Sequence, residues 1–596
     1  MLSEEEKPEV KAFFAPLFLE VVDALRVLVE LPDDSDTWSD QDTDDFKRFR
    51  YAVGDAIFDS CKVATSVAVI ANLSTTLQQK LTPFYAAPEQ RWREVEGCIY
   101  CLRQSISSND PTFFQAPAVA SLLQLLPTLP AVGQLQSTAI RTIGTYSNWL
   151  AKNAQLLPPL LTFVSNGLRS EATAAASSQA MKLLCDSCAE HLAEPQTMQQ
   201  LLQMYLGTLQ LPLSIADRVD LVSALAFVVS QMEIEQILPA MEAIAQPLLE
   251  RMMAALQGGT STPNEIAVGL EQLCALLRGI SPVKHIDEGY AAAGGHPSVL
   301  MLQKVWEVLD AVFARHGTSS NCMEKLCRCY KHTSRNCGPF FRPVVYKLLP
   351  QVTGWYEQQP HSCFLYMNNV CLASFGQGPA VSDLLPHFVD AFKRMSVATF
   401  KLLSASSGLV DNPDVVDDYF ELCGKVLRCQ PSMLLESAEL LPYAFDCGCA
   451  ALHLHHREAN RSALRFFENL IDLFARPGRG TKPLSDASHA ALRALLGSKG
   501  EQLVRQLVLA ISGALPSARV RFVGPLLKQL IEVEPQQCQV WVGQCIQSMP
   551  QETHADGQVF AAAVFSPEAL ADERIFSKAA EAFSEACRRR RGQMAG

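Results

Sequence analysis

Residues 14–29 read FAPLFLEVVDALRVLV, and the spacing of their apolar side chains decides the fold. Phe14, Phe18, Val21, Val22, Leu25, Leu28 and Val29 stand at i, i+4, i+7, i+8, i+11, i+14 and i+15. That is one stripe along an α-helix; a strand, with its period of two, does not produce it. The stripe is expected to be buried. Comparable segments recur at 52–80, 92–105, 117–127, 136–151, 157–168, 176–192 and 197–209. They continue at 217–231, 236–256, 264–279, 298–315, 322–337, 343–357 and onward to the C-terminus.

The connections between them are short and carry proline: Leu157-Pro158-Pro159, Leu211-Pro212, Gln246-Pro247, Arg342-Pro343 and Asn412-Pro413. Proline ends one helix and tolerates the first turn of the next, where its missing N–H is not needed. Many helices of about 12–20 residues with tight turns predict stacked helical hairpins of roughly 35–47 residues. The predicted fold is therefore all-α, a HEAT/armadillo-like solenoid of on the order of 13 hairpins. Each hairpin leaves an apolar face that its neighbours must cover, so one continuous solenoid over 1–596 is expected, elongated and with a concave inner wall. Three segments depart from the pattern: an acidic connection at 32–45, a flexible loop at 475–485, and a basic tail at 588–596.

The totals agree with a repetitive chain. At 596 residues and 48% hydrophobic it is too long for one compact core and too apolar for wholesale disorder. With 62 acidic against 50 basic residues, generic binding to nucleic acid or to an anionic membrane is disfavoured. The 19 cysteines are not preceded by a signal peptide, since MLSEEEKPEV has no apolar core. No apolar run approaches the about 18 residues a membrane span requires. The cysteines fall among helical apolar positions, which points to a soluble protein of a reducing compartment, cytosol or nucleus.

Candidate metal and catalytic sites are few. Cys185-x-x-Cys188-x-x-His191 resembles half a zinc site, but no matching pair lies at a plausible spacing, and both cysteines share a stripe with Met181 and Leu184. Cys327 with Cys329, and Cys447 with Cys449, put two sulfurs on different faces of a helix and read as packing. His453, His455 and His456 read as partly exposed histidines at a helix junction. The strings at Gly478–Lys482 and Gly497–Gly500 do not satisfy the phosphate-loop pattern. With no nucleophile elbow, HExxH or EF-hand loop, the reading is a protein that is not an enzyme and has no cofactor or metal.

Residues 323–337 are more informative. At about 100° per residue, Lys325, Arg328, Lys331 and Arg335 fall within roughly 60° of a common direction. Met323, Leu326, Tyr330, Thr333 and Cys337 take the opposite side. Phased cations on an acidic chain predict a polyanionic partner, with Arg328 and Arg335 offering bidentate forks and Lys325 and Lys331 point charges. The bland alternative is an ordinary solvated face. In the acidic connection, Trp38 with Asp40 and Asp42 is a second possible partner contact; otherwise the segment is a solvated loop capping a helix from Asp44 onward. The run Arg588–Arg591 is expected to follow the final helix as a solvated tail.

Four blocks resemble transportin-SR (transportin-3), an importin-beta-type karyopherin family: DTWSDQDTDDFKRFR at 36–50, QPHSCFLYMNNV at 359–370, NPDVVDDYFEL at 412–422 and HREANRSALRFFENLI at 456–471. They occur in the family's order and span most of the chain. The resemblance implies a receptor shuttling between cytoplasm and nucleus that imports serine/arginine-rich splicing-factor-type cargo. It also implies passage by contact with nucleoporins, release by Ran-GTP, and no direct binding of nucleic acid or membrane. An arginine-rich helix of the family that binds phosphorylated Arg-Ser segments matches Arg328, Lys331 and Arg335, with Lys331 where the family has arginine. Relative to the family, Met1 falls inside the solenoid, so the N-terminal repeats that contact Ran-GTP are expected to be absent. Two other readings stay open: an importin-13-like bidirectional karyopherin, and a cytosolic HEAT scaffold that assembles enzymes.

Overall fold

The computed structural model describes residues 6–106, 111–259, 261–281, 289–290, 294–378, 381–475 and 484–594. Among the described residues every regular element is a helix. The chain forms two compact units, Met1–Val308 and Leu309–Gly596.

In the first unit one layer runs through the helices Pro88–Gln104, Leu135–Thr145, Glu171–Ser187, Ile215–Val229 and Pro263–Gly279, each packed on the next. The sequence makes such close stacking possible by placing small residues at the crossings. A Cβ on Gly144 would stand 2.8 Å from the Cα of Ala180, so this crossing requires glycine on one side and alanine on the other. In the second unit the corresponding layer is Ser320–Cys337, Ser362–Phe375, Pro413–Cys429, Arg457–Ala475, Val520–Val533 and Glu573–Met594. Within the second unit's layer, neighbouring helices bury aromatic side chains against one another, as in Phe420, Phe466 and Phe467. The arrangement is the HEAT-type helical solenoid that the periodicity predicts.

Helix ends follow local chemistry. Pro88, Pro117, Pro195, Pro263, Pro413 and Pro535 each open a helix. Ser214 with Asp217, and Thr262 with Glu265, form reciprocal capping boxes. Pro247, expected in a connection, lies instead inside the helix Ile234–Gln257 together with Pro239. The buried face of Ile237, Met241, Ile244 and Leu248 holds that helix together across the lost backbone bonds.

Other expectations shift for identifiable reasons. The segment 52–80 is two helices, Asp40–Ala64 and Ser66–Ala86, broken at Thr65 with φ of 72°. This pair is bent by 118°, and no single helix among the described residues is long and apolar enough to cross a membrane. The opening helix Glu6–Leu28 buries Val22 and Arg26, yet Phe14, Val21 and Leu28 of the predicted stripe are exposed. Only one side of that helix has a packing neighbour among the described residues.

Most of the acidic connection is helical. Ser39 caps a helix that begins at Asp40, and the Asp42 carboxylate accepts the Ser39 N–H in return, so the helix starts four residues before Asp44. The run Arg588–Arg591 is also inside a helix, Glu573–Met594, rather than after it. Arg588 donates to the Leu515 carbonyl, Arg590 pairs with Asp556, and Arg591 donates to the Ser512 carbonyl at 3.2 Å. These bonds tether the run to the preceding hairpins. Residues 476–483 of the expected flexible loop lie outside the described residues.

Candidate functional site

The phased cations lie on the helix Ser320–Cys337, in the second unit. Ser319 caps its N-terminus through a bond from the Cys322 N–H, and Gly338 ends it at φ of 50°, a conformation that favours glycine. Met323, Leu326, Tyr330, Thr333 and Cys337 are all buried, as the wheel predicts, and fix the rotation of the helix about its axis. Cys327 and Cys329 are buried too. Burial pushes the Cys327 thiol well above its usual range, so it acts as a packing group and not as a thiolate.

The opposite face carries the charges, unequally. Arg335 is exposed and has no ion pair among the described residues. Lys331 is half-buried, with its ammonium 4.8 Å from the centre of the Tyr366 ring on the neighbouring helix Ser362–Phe375. Arg328 pairs with the Glu324 carboxylate one turn earlier, with side chains 43% and 51% exposed. Such an open i,i+4 pair contributes about 0.3–0.5 kcal/mol, little enough for a dianion to displace the carboxylate. Lys325 is half-buried and is not without a partner. The four positions therefore share one face, but they are not four free cations. Glu324, a short helical turn away, is the feature that the spacing argument missed; an i,i+4 Glu–Arg pair was legible in the sequence.

The second candidate is more occupied. Trp38 packs edge-to-face on Phe46 at 5.2 Å and is half-buried. Asp42 is committed to the helix cap, while Asp40 is exposed in the first turn, where a carboxylate complements the helix dipole. Neighbouring Asp44 and Asp45 pair with Lys47 and Arg48 of the same helix. The carboxylates mostly serve their own helix.

The zinc-like triplet does not converge. Cys185 and Cys188 are buried, and His191 turns its Nε2 to the Ala151 carbonyl at 2.9 Å. Among the described residues no three His, Cys, Asp or Glu side chains are placed to hold a metal. His453 bonds Gln506 at 2.6 Å and His456 accepts the Ala459 N–H, while His455 and His456 are exposed.

Residues 296–403, which include the basic helix, match the Transportin-3/Importin-13 fourth TPR domain, and residues 117–204 match the third. Transportin MOS14 of Arabidopsis thaliana is 26% identical over 601 residues, covering 97% of this chain and 59% of that protein. Importin-13 of Mus musculus is 22% identical over 522 residues, covering 85% of this chain and 53% of the relative. The chain thus spans little more than half the length of these relatives. Among solved structures, importin-13 in its cytosolic state superposes with a TM-score of 0.82 at 18% identity, over 98% of this chain and 65% of that one. The chain is similar to the transportin-3/importin-13 proteins, matching their third and fourth domains and sharing the helical-repeat fold of importin-13.

Proposed function

We propose that the chain belongs to a nuclear transport receptor that recognises phosphorylated Arg-Ser segments of serine/arginine-rich cargo. The observation that carries this reading is the basic face of the helix Ser320–Cys337, anchored by a fully buried back and lying inside the fourth-domain match. A phosphorylated Arg-Ser segment alternates cation and dianion. Its phosphates meet Arg335, Lys331 and Arg328, the last after displacing Glu324, and the released carboxylate is then free for a cargo arginine. Charge-assisted bonds of this kind contribute about 1.5–3 kcal/mol each when partly desolvated.

The same reading includes nucleoporin contact, shuttling between cytoplasm and nucleus, and release of cargo by Ran-GTP. Its support is the likeness to MOS14 and importin-13 along most of the chain. Trp38 and Asp40 remain a candidate contact for a basic partner.

The test is a pull-down of phosphorylated Arg-Ser cargo by the chain and by the variant Arg328→Ala with Arg335→Ala, both checked by thermal melting. Loss of capture with an unchanged melt supports the reading. Undiminished capture overturns it and favours a scaffold indifferent to phosphorylation.

A further inference from the structure

A second concentration of cations lies further along the same layer. The N-terminal ends of the helices Arg457–Ala475 and Val520–Val533, which pack on each other, enclose a cavity of about 250 Å³. Arg457, Arg461, Arg519 and Arg521 line it together with Asn460 and Phe522, and among the described residues no carboxylate lines it.

The four guanidinium groups have different attachments. Arg519 is fixed, donating to the carbonyls of His455 at 3.0 Å and His456 at 3.4 Å, which ties the start of one helix to the start of the other. Arg457 has only a 3.9 Å approach to Glu458, with both side chains exposed. The charge of Arg461 partly offsets the burial that raises the Glu468 carboxyl, and Arg521 lies over the Phe522 ring at 4.7 Å. Both helices begin at the cavity, so their dipoles add to the positive field. On a chain of net charge -12, four like charges gathered round a cavity without a lining carboxylate call for an anion from outside.

We propose that this cavity is a second phosphate-accepting site, taking a phosphorylated side chain of the same peptide segment that the basic helix binds. The proposal rests on the reading given under Proposed function. Three to four helix-to-helix steps separate the two surfaces within one layer, roughly 24–40 Å at about 8–10 Å per step. An extended peptide covers that in about 7–12 residues. Between them the helix Pro413–Cys429 carries Asp414, which is exposed, and Asp417 and Glu421, which are half-buried and bonded to Ser462 and Arg465; these carboxylates interrupt any continuous cationic track. That interruption opposes a nucleic-acid backbone and suits a segment whose arginines alternate with phosphates.

The test uses the whole chain and a fluorescent, fully phosphorylated Arg-Ser peptide of about 20 residues, long enough to span both surfaces. Anisotropy titrations compare Arg461→Ala with Arg521→Ala, the charge-retaining Arg461→Lys with Arg521→Lys, and Arg328→Ala with Arg335→Ala, each with a matching melt. The alanine pair at the cavity is expected to weaken binding at least about tenfold, because bivalent attachment is lost, and the lysine pair is expected to lose less. If only the Arg328/Arg335 pair weakens binding, the cavity proposal is overturned and the receptor reading stands. If only the Arg461/Arg521 pair does, the basic helix is overturned as the site and the cavity is kept. Inorganic phosphate that competes as well as the peptide marks a free-anion site only and overturns the peptide assignment.

Discussion

The ammonium of Lys331 stands 4.8 Å from the centre of the Tyr366 ring, joining the basic helix to the next helix of its layer. This contact holds the cation in place, yet a lysine offers phosphate only a point charge. Replacing it with arginine adds a planar fork that can stack on the same ring. Lys331→Arg is expected to tighten phosphopeptide binding about fivefold, roughly 1 kcal/mol, as read by isothermal titration. Tyr366→Ala is expected to weaken it by freeing Lys331.

In the first unit a buried ion pair joins three helices. The Arg50 Nη2 donates to both Glu96 carboxylate oxygens, at 2.9 and 2.8 Å, and Thr138 adds a 2.7 Å bond to the same carboxylate. The Arg50 and Glu96 side chains are only 8% and 1% exposed. Removing one partner strands the other charge, so Glu96→Ala is expected to cost about 3–5 kcal/mol in urea unfolding. Arg50→Met combined with Glu96→Leu should recover most of that loss, because the buried charge disappears with its partner.

Asp418 supplies a pH dependence. Burial lifts its carboxyl to about 7; the Ser362 hydroxyl pulls the other way, and Asp417, Asp414 and Glu421 raise it further. The folded chain therefore keeps a proton that the unfolded chain releases near pH 4. The contribution is full below about pH 4, is lost as pH rises to about 7, and is constant above. Asp418→Asn is expected to flatten this decline between pH 5 and 7.5. A residual slope of the same sign should remain, because burial also raises the Asp417 carboxyl.

The buried cysteines predict indifference to metal. Burial raises the Cys188 thiol to about 11 and the Cys185 thiol beyond it, and His191 is bonded to a backbone carbonyl. Strong zinc chelators are expected to leave the melting temperature unchanged. A shift of several degrees would show a structural metal.

The helical repeat was legible because apolar spacing and proline punctuation are local signals. The predicted segments 117–127, 157–168, 264–279 and 343–357 fall within a few residues of the observed helices. The break at Thr65 was not legible, since apolar periodicity runs through it and only the 118° bend required by packing reveals it. Pro247 misled because a buried apolar face outweighed the proline. At the candidate site the buried back of the basic helix was readable from phase alone, but the cavity was not. Arg457 and Arg461 lie about 60 residues from Arg519 and Arg521, and only the fold brings them together.

The central claim is that a row of cations on the helix Ser320–Cys337 binds phosphate on an Arg-Ser segment. It is tested most directly by the affinity of the intact chain for one such peptide, synthesised with and without phosphate on its serines. Binding at least about tenfold tighter for the phosphorylated form, narrowing as salt is raised, is the predicted result. Equal affinity for the two forms, or preference for the unmodified peptide, would contradict it.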